Sequence, residues 1–207
     1  MLRSTLFLAV FVSLAAVNKC LANDLSPCLQ KCIDPMTKIE KTISYLYRHY
    51  EDVCETLEKS AYCAQQCSDQ DHALFFQYTT FYRVHCIEME EALEDHLPCL
   101  REASYKADFV CREKCKPKQD KTGNKEEKQK QLCKTVECST ICYFKQFSQS
   151  CPSSIDVLIK TNVRNADEMR RLTSESHFNE MNDQCQKIHD GVHIQKQLIE
   201  ALKTDKL

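Results

Sequence analysis

The residues of this chain with the most evident capacity for chemistry are its cysteines. The 207 residues contain fifteen cysteines and only two glycines. A cysteine can serve as a metal-binding thiolate, a nucleophile or half of a disulfide. Eight of the fourteen cysteines after residue 22 form four C-x-x-x-C pairs: Cys28/Cys32, Cys63/Cys67, Cys111/Cys115 and Cys138/Cys142. This spacing places both sulfurs of a pair on one face of a helix, one turn apart. The pattern favours a helical protein that is crosslinked by disulfides.

The first 22 residues have the layout of a secretory signal peptide. Arg3 precedes an apolar run, Leu6–Val17, and Cys20-Leu21-Ala22 offers small residues at both critical positions of a cleavage site. As a membrane anchor, the run would rise only about 18 Å, which is too short for a membrane core of about 30 Å. No later stretch approaches the roughly 18 apolar residues of a membrane span. The sequence therefore predicts a signal peptide over 1–22, no membrane span and a secreted, extracellular protein.

Cleavage after Ala22 removes Cys20 and leaves fourteen cysteines, an even number that can all pair. A zinc site is the competing interpretation, but thiolate clusters in oxidising compartments tend to crosslink instead. A catalytic cysteine would need a free thiolate beside a base. We therefore expect disulfides at Cys28, Cys32, Cys54, Cys63, Cys67, Cys86, Cys99, Cys111, Cys115, Cys133, Cys138, Cys142, Cys151 and Cys185.

Two antiparallel helices that each carry C-x-x-x-C can form two nested disulfides. The last two pairs flank a charged segment, so we predict Cys111–Cys142 together with Cys115–Cys138. The rival is a Cys86–Cys111 bridge, because these two cysteines are equally far from the Pro98-Cys99 turn and would be level in a helical hairpin. The first two C-x-x-x-C pairs are harder to join, because the helix predicted between them would be about 36 Å long.

Other residue types form no recognised catalytic motif: there is no G-x-S-x-G, no H-E-x-x-H and no Gly-rich phosphate loop. Cys185, His189 and His193 have helical metal-ligand spacing, but Gly191 interrupts them, which favours a solvated pair of tail histidines. A carboxylate cluster on a helix flank is usually a solvated face, and the cluster here is Glu88, Glu90, Glu91, Glu94 and Asp95. We therefore predict no enzyme activity, no metal site and no cofactor.

Removal of the signal peptide leaves 26 basic and 30 acidic residues, and this net negative charge argues against nucleic acid as a partner. The segment Lys116–Gln131 stands apart, with six lysines, three acids and no aliphatic or aromatic side chain. Its composition predicts a mobile, charged loop over 116–131 between two cysteine-bearing helices. A weak polyanion contact through Lys116–Lys130 is the functional alternative, although the acids among the lysines weaken it.

Apolar periodicity predicts helices throughout the mature chain, 23–207. One helix is expected from about 35 to 59 behind an Asp34-Pro35 cap, because apolar residues recur every three or four positions, at Met36, Ile39, Ile43, Leu46, Tyr50, Val53 and Leu57. A second helix opens at Asp71 and reaches Leu93, and Pro98 breaks it. A third covers about 99–115, and a fourth begins at Ser153-Ser154-Ile155-Asp156.

No run of β-branched residues alternates with polar ones, so strands are not expected. The predicted fold class is all-α, a disulfide-stapled helical bundle with no significant β-sheet. The cysteine-rich domain is expected over 23–185. The tail, 186–207, could form a short amphipathic helix beyond Gly191 or could fray.

Aromatic residues are concentrated on the second predicted helix, at Phe75, Phe76, Tyr78, Phe81 and Tyr82. Disulfide-braced helical bundles can hold a lipid between helices, so a carrier of small apolar molecules is one hypothesis. The alternative is that these rings fill the core of a protein that has no tryptophan. A contiguous internal cavity would favour the carrier, and a filled core would favour an interaction role.

The order and spacing of the cysteines carry a family resemblance, from Cys28 to Cys151 and including the local sequence Pro98-Cys99-Leu100. In this register the chain resembles the chondroitin proteoglycan 4 domain of nematode secreted proteins. The resemblance implies an extracellular, cysteine-rich, α-helical domain. In the family's namesake that domain is linked to the proteoglycan coat of the egg, where serines carry chondroitin chains.

Sugar attachment is where the chain departs from that pattern. Chondroitin attachment needs Ser followed by Gly, but the two glycines follow Thr122 and Asp190, and there is no N-x-S/T sequon. The sequence therefore favours a secreted, non-enzymatic structural or interaction protein, of an extracellular or egg-coat matrix, without its own chondroitin chain. Its expected partners are extracellular proteins. A helical inhibitor or effector of host proteins is a third class, and nothing in the sequence names its target.

Overall fold

The computed structural model describes residues 25–117 and 124–204, and within these ranges every regular element is a helix and there is no strand. This confirms the all-α prediction. The predicted signal peptide, 1–22, lies outside the described residues. The α-helices are α1 (Pro27–Thr37), α2 (Ile43–Arg48), α3 (Tyr50–Ala64), α4 (Asp69–Arg83), α5 (Glu90–Glu94), α6 (Leu97–Lys114), α7 (Lys125–Ser150), α8 (Ile155–Leu172), α9 (Glu175–Glu180), α10 (Asp183–Ile188) and α11 (Gly191–Lys203). A π-helical turn, Val84–Glu88, follows α4, and a 3₁₀ turn, Pro152–Ser154, precedes α8.

Polar side chains set the starts of most helices, because the first N–H groups of a helix have no partner within it. Ser26 accepts a hydrogen bond from the backbone of Leu29, with Pro27 at the first helical position. At α4 the cap is reciprocal: Ser68 accepts from the Asp71 backbone and the Asp71 carboxylate accepts from the Ser68 backbone.

The helix predicted from about 35 to 59 is wrong as a single element. Pro35 lies inside α1, which ends at Thr37, and the chain then turns before Thr42 caps α2. The stripe residues are still buried or partly buried, but they are divided among three successive helices and, for Ile39, the turn between the first two. The first two C-x-x-x-C pairs were expected to lie about 36 Å apart, at the two ends of one helix. Because the chain turns and α3 runs back along α1, the two pairs instead meet and are joined by disulfides.

The second predicted helix is interrupted rather than continuous. α4 ends at Arg83, and the π-helical turn follows, in which the Met89 N–H donates to the Val84 carbonyl at 2.9 Å. A π turn inserts an extra residue and rotates the face that follows it. Leu93 nevertheless reaches the core from α5. Pro98 lies in the first turn of α6, so the predicted break and the helix over about 99–115 are confirmed.

The loop predicted over Lys116–Gln131 is wrong in its second half. Asn124 caps α7 by accepting from the Glu127 N–H at 2.8 Å, and residues 125–131 form the first turns of this helix. Their lysines and acids are good helix formers, and the buried residues that hold the helix in place, Leu132 and Cys133, come only afterwards. Residues 118–123 lie outside the described residues.

The tail packs instead of fraying. α11 lies against α8 and α7, with Ile194, Leu198 and Ala201 buried. The buried Lys145 of α7 donates its ammonium to the carbonyl of Thr204, at the end of α11. The last helix therefore belongs to the bundle.

Seven disulfides connect the helices along the chain. The structure contains the predicted nested bridges Cys111–Cys142 and Cys115–Cys138, which with Cys99–Cys151 hold α6 antiparallel to α7. The remaining four bridges are Cys28–Cys67, Cys32–Cys63, Cys54–Cys86 and Cys133–Cys185. The rival Cys86–Cys111 bridge is therefore not formed. The core between these crosslinks is built from leucines and aromatic rings of several helices, such as Leu46, Leu57, Leu100, Phe144 and Phe147.

Reduction of the seven bridges should unfold the protein. Loss of one native bridge typically costs about 2–5 kcal/mol, against a total folding stability of about 5–15 kcal/mol. Circular dichroism of the reduced protein should show loss of the helical signal, whereas the oxidised protein in the same buffer should melt cooperatively. A reduced protein that kept both its helicity and its cooperative melt would show that packing alone maintains the fold.

Candidate functional site

The cysteines were the first candidates for chemistry, and the structure places all fourteen in disulfides. The sulfurs of Cys28, Cys32 and Cys67 lie within 4.8 Å of one another, as metal-binding cysteines do. They belong to two neighbouring bridges, with 3.9 Å between Cys32 Sγ and Cys67 Sγ. A sulfur in a disulfide is not a thiolate, so in this state the cluster crosslinks α1 to the end of α3 and supplies neither a nucleophile nor metal ligands.

The tail histidines are not a solvated pair, so that interpretation was wrong. Cys185 is bonded to Cys133, and His189 donates from Nδ1 to the Cys185 carbonyl at 2.7 Å, while burial lowers the pKa of His189. His193 belongs to the next helix, where its Nε2 lies 2.6 Å from the Glu137 carboxylate. These contacts tie α10 and α11 to α7, and they do not bring the three side chains together as metal ligands.

The carboxylate cluster divides into two environments. Glu90, Glu91, Glu94 and Asp95 are exposed, as predicted for a solvated face. Glu88 is different: its side chain is mostly buried and pairs with Arg83 at 3.3 Å and with Arg164 of α8. A carboxylate between two guanidiniums is suited to holding two elements together.

Glu168 extends this arrangement into an ion-pair network. Its side chain is only 3% exposed, and it contacts Arg164 and Arg171, each at 2.8 Å. Hydrogen bonds from the Arg171 guanidinium lower the pKa of Glu168. The network, which runs Arg83–Glu88–Arg164–Glu168–Arg171, attaches the π-helical turn to α8.

An open groove of about 330 Å³ lies beside this network, lined by Glu88, Met89, Lys160, Val163, Arg164 and Asp167. Met89 and Val163 supply apolar wall, and Glu88 and Arg164 already neutralise each other. Lys160 is paired as well, with Asp156, whereas Asp167 is in no ion pair with the described residues. Most of the charge in the groove is thus used in structural ion pairs.

His85 is a buried titratable group of the π-helical turn. Its ring is buried between Tyr47 and Phe81, and its Nδ1 donates to the Phe81 carbonyl at 2.7 Å. Its own carbonyl accepts from the Tyr50 hydroxyl at 2.6 Å. Burial lowers the pKa of His85 to about 4, so the ring is neutral at physiological pH.

The aromatic residues proposed for a lipid carrier lie mostly in the core. Phe75 and Tyr82 are buried, and Tyr78 and Phe81 pack against the same core. Phe76 points outward, and the Arg83 guanidinium lies 4.7 Å from the centre of its ring. These positions match the packing alternative for the ring cluster.

The lysines of the charged segment that the structure describes are solvent-facing. Lys125, Lys128 and Lys130 are exposed on the first turns of α7, with Glu126 and Glu127 between them. Their mixed charge gives little attraction for a polyanion. Contact with a polyanion therefore stays a prediction. Within the described ranges, no helix is both long enough and apolar enough to cross a membrane.

Sequence reasoning did not identify His85 or the network around Glu168. The spacing of Arg164, Glu168 and Arg171 is visible in the sequence as i, i+4 and i, i+3 pairs. Such pairs are usually exposed and contribute little, and only the fold shows that Glu168 is buried.

Comparison with known protein families agrees with the cysteine register. The family model of chondroitin proteoglycan 4 matches residues 19–194. The chain belongs to this family. The match spans all seven bridges and ends in the first turn of α11, so it extends well beyond the Cys28–Cys151 region on which the resemblance was based. No curated protein and no solved structure matches the chain.

The stability of this chondroitin proteoglycan 4 family member should fall as the pH drops from about 6.5 towards 4. The unfolded state binds a proton on His85 near the ordinary pKa of about 6.5, whereas the folded state does so only near 4. The contribution of His85 to the folding stability is therefore fully present above pH 6.5. It decreases by up to about 3 kcal/mol as the pH falls from 6.5 to 4. The measurement is urea unfolding at a series of pH values.

The matched variant is His85→Asn, whose amide can still donate to the Phe81 carbonyl but does not titrate. Its pH profile should be flatter, with the remaining slope due to His189 and, towards pH 4, to carboxylates such as Glu168, because the pKa values of these groups are also lowered in the folded protein. Equal slopes in the two proteins would contradict the assignment to His85.

Glu168→Gln should destabilise the protein by about 1–3 kcal/mol, because it leaves two guanidiniums without their shared buried carboxylate. Glu175→Gln is the control, since Glu175 is paired with Arg170 but its side chain is 76% exposed. That change should cost less than about 1 kcal/mol. The measurement is the free energy of unfolding of each variant in guanidinium chloride. Equal losses of stability in the two variants would mean that burial of Glu168 does not matter.

Proposed function

We propose that this chain is a secreted, non-enzymatic structural or interaction protein of an extracellular matrix, without a chondroitin chain of its own. The observation that carries this proposal is the use of every cysteine from Cys28 to Cys185 as an intramolecular crosslink, in a member of the chondroitin proteoglycan 4 family. The bridges connect helices from α1 to α10, so the cysteines serve the framework of the whole domain.

The number of disulfides supports an extracellular location. Disulfides form and persist in oxidising compartments, and glutathione and thioredoxin keep thiols reduced in the cytosol. Seven bridges within one domain are characteristic of a secreted protein, and the proposed signal peptide over 1–22 supplies the route.

The side-chain chemistry supports a role without catalysis. The buried titratable groups are held in structural contacts: Glu168 and Glu88 by arginines, and His85 by a backbone carbonyl. Groups with perturbed pKa values can mark active sites, but structural ion pairs perturb them as well. In this chain the ion pair of Glu88 with Arg164 joins the π-helical turn to α8, and Glu168 and His85 bond to partners within their own helical segments.

The proposal that the protein carries no chondroitin chain rests on the residues that follow its serines. Chain initiation transfers xylose to a serine hydroxyl in a Ser-Gly context, and neither glycine follows a serine. Gly191 follows Asp190, which is the N-cap of α11 and accepts hydrogen bonds from the Val192 and His193 backbone. The remaining glycine follows Thr122. Such a protein would enter a matrix through contacts with other proteins.

The test is the intact mass of the protein secreted by cultured animal cells, measured with and without chondroitinase. We expect the mass of a chain that begins at Asn23 and contains seven disulfides, and this mass should not change after treatment with chondroitinase. The Thr122→Ser variant is the matched control, because it creates a Ser-Gly acceptor with one oxygen-bearing side chain in place of another. A chondroitinase-sensitive mass of the natural sequence would contradict the glycan claim, and retention inside the cell would contradict secretion.

A further inference from the structure

The outer face of α6 carries two exposed aromatic side chains. Tyr105 is 66% exposed and Phe109 is 77% exposed, although the opposite face of the same helix is buried through Leu100, Ala103 and Ala107. Residues four apart are neighbours on a helix surface, so the two rings form one patch. Exposed aromatic rings are costly to leave in water, and aromatic residues are enriched in protein interfaces.

The two edges of this patch carry opposite charges. At 100° per residue, Arg101 and Arg112 lie along one edge and Glu102 and Glu113 along the other, with Tyr105 and Phe109 between them. The arginine edge faces α2 and α3, because Arg101 bonds to Glu51 at 2.7 Å and the Arg48 guanidinium lies 5.2 Å from the Tyr105 ring. Across the described residues, Glu102 and Glu113 are exposed and in no ion pair.

The order of these charges along α6 fits a second copy of the same chain. When two α6 helices lie parallel around a two-fold axis, the arginine edge of one copy faces the glutamate edge of the other at the same height. Arg101 then meets Glu102 of the second copy, and Arg112 meets Glu113 of the second copy. An antiparallel arrangement would instead place like edges together, arginine against arginine.

We propose that this face is a homodimer interface in which the two α6 helices pack in parallel through Tyr105 and Phe109. Arg101 can keep its partner Glu51, and Arg112 can keep both Glu40 and Asp108, because a guanidinium has five N–H donors and both side chains are partly exposed. The interface goes beyond the proposed matrix function and does not depend on it.

The size of the interface determines the strength expected. α6 has 18 residues, and a single helix face is smaller than the roughly 800 Å² per partner that a standard stable interface buries. Association should therefore be weak and depend on protein concentration, so that local crowding in a matrix would favour the dimer.

Sedimentation of the full-length, oxidised protein over a wide range of concentrations tests the proposal. We expect a reversible monomer–dimer equilibrium that is weakened about tenfold or more in a Tyr105→Ser/Phe109→Ser variant. Tyr62→Ser is the matched control, since Tyr62 is 72% exposed on α3, away from this face, and it should leave the equilibrium unchanged. A protein that is monomeric throughout, or a dimer unaffected by loss of both rings, overturns the proposal.

Glu102→Arg tests the orientation separately. In the parallel dimer this change places an arginine beside Arg101 of the second copy, so dimerisation should weaken severalfold. In an antiparallel dimer the new arginine would face Glu113 of the second copy, and dimerisation should strengthen. Strengthening would overturn the parallel arrangement. Far-ultraviolet circular dichroism of each variant, whose changed side chains are exposed, checks that the fold is kept.

Discussion

Disulfide geometry is the constraint on which the rest of this structure depends. A bridge needs its two Cα atoms about 4.4–6.8 Å apart, and the seven bridges here lie between 5.1 Å for Cys133–Cys185 and 5.9 Å for Cys99–Cys151. Two cysteines one helical turn apart can both satisfy this requirement only if the partner helix is antiparallel and in register. The C-x-x-x-C pairs therefore specify helix direction and register together, first for α1 with the end of α3 and again for α6 with α7.

Noncovalent contacts supply what the bridges do not. Between the crosslinked pairs, the π-helical turn is fixed by the Tyr50 hydroxyl, by the buried ring of His85 and by the ion pairs of Glu88. The Cys54–Cys86 bridge then holds this turn against α3. The last helix has no bridge of its own, and its place is set by apolar burial and by Lys145 at the carbonyl of Thr204.

Helix content and the nested pairing of α6 with α7 could be predicted from the sequence, because both follow from local spacing. Apart from the break at Pro98, the breaks between helices could not. The stripe from Met36 to Leu57 keeps helical periodicity across two turns of the chain, because α1, α2 and α3 all pack against the same side of the core. Pro35 suggested a helix start, yet it lies inside α1, where tertiary packing and the bridges outweigh its local preference. The start of α7 was hidden for the opposite reason: its first turns bury no apolar side chain, so periodicity gives no signal there. Burial of Glu168 and His85 depends on which helices meet, and a single sequence does not specify that.

The fold requires these particular pairs of cysteines, because other pairings would place the helices differently. The direct measurement is peptide mapping by mass spectrometry of the natural protein, digested without reduction and at acidic pH so that bridges do not exchange. The structure predicts Cys28–Cys67, Cys32–Cys63, Cys54–Cys86, Cys99–Cys151, Cys111–Cys142, Cys115–Cys138 and Cys133–Cys185. A peptide that links Cys86 to Cys111, or a free thiol at any of these fourteen positions, would contradict it.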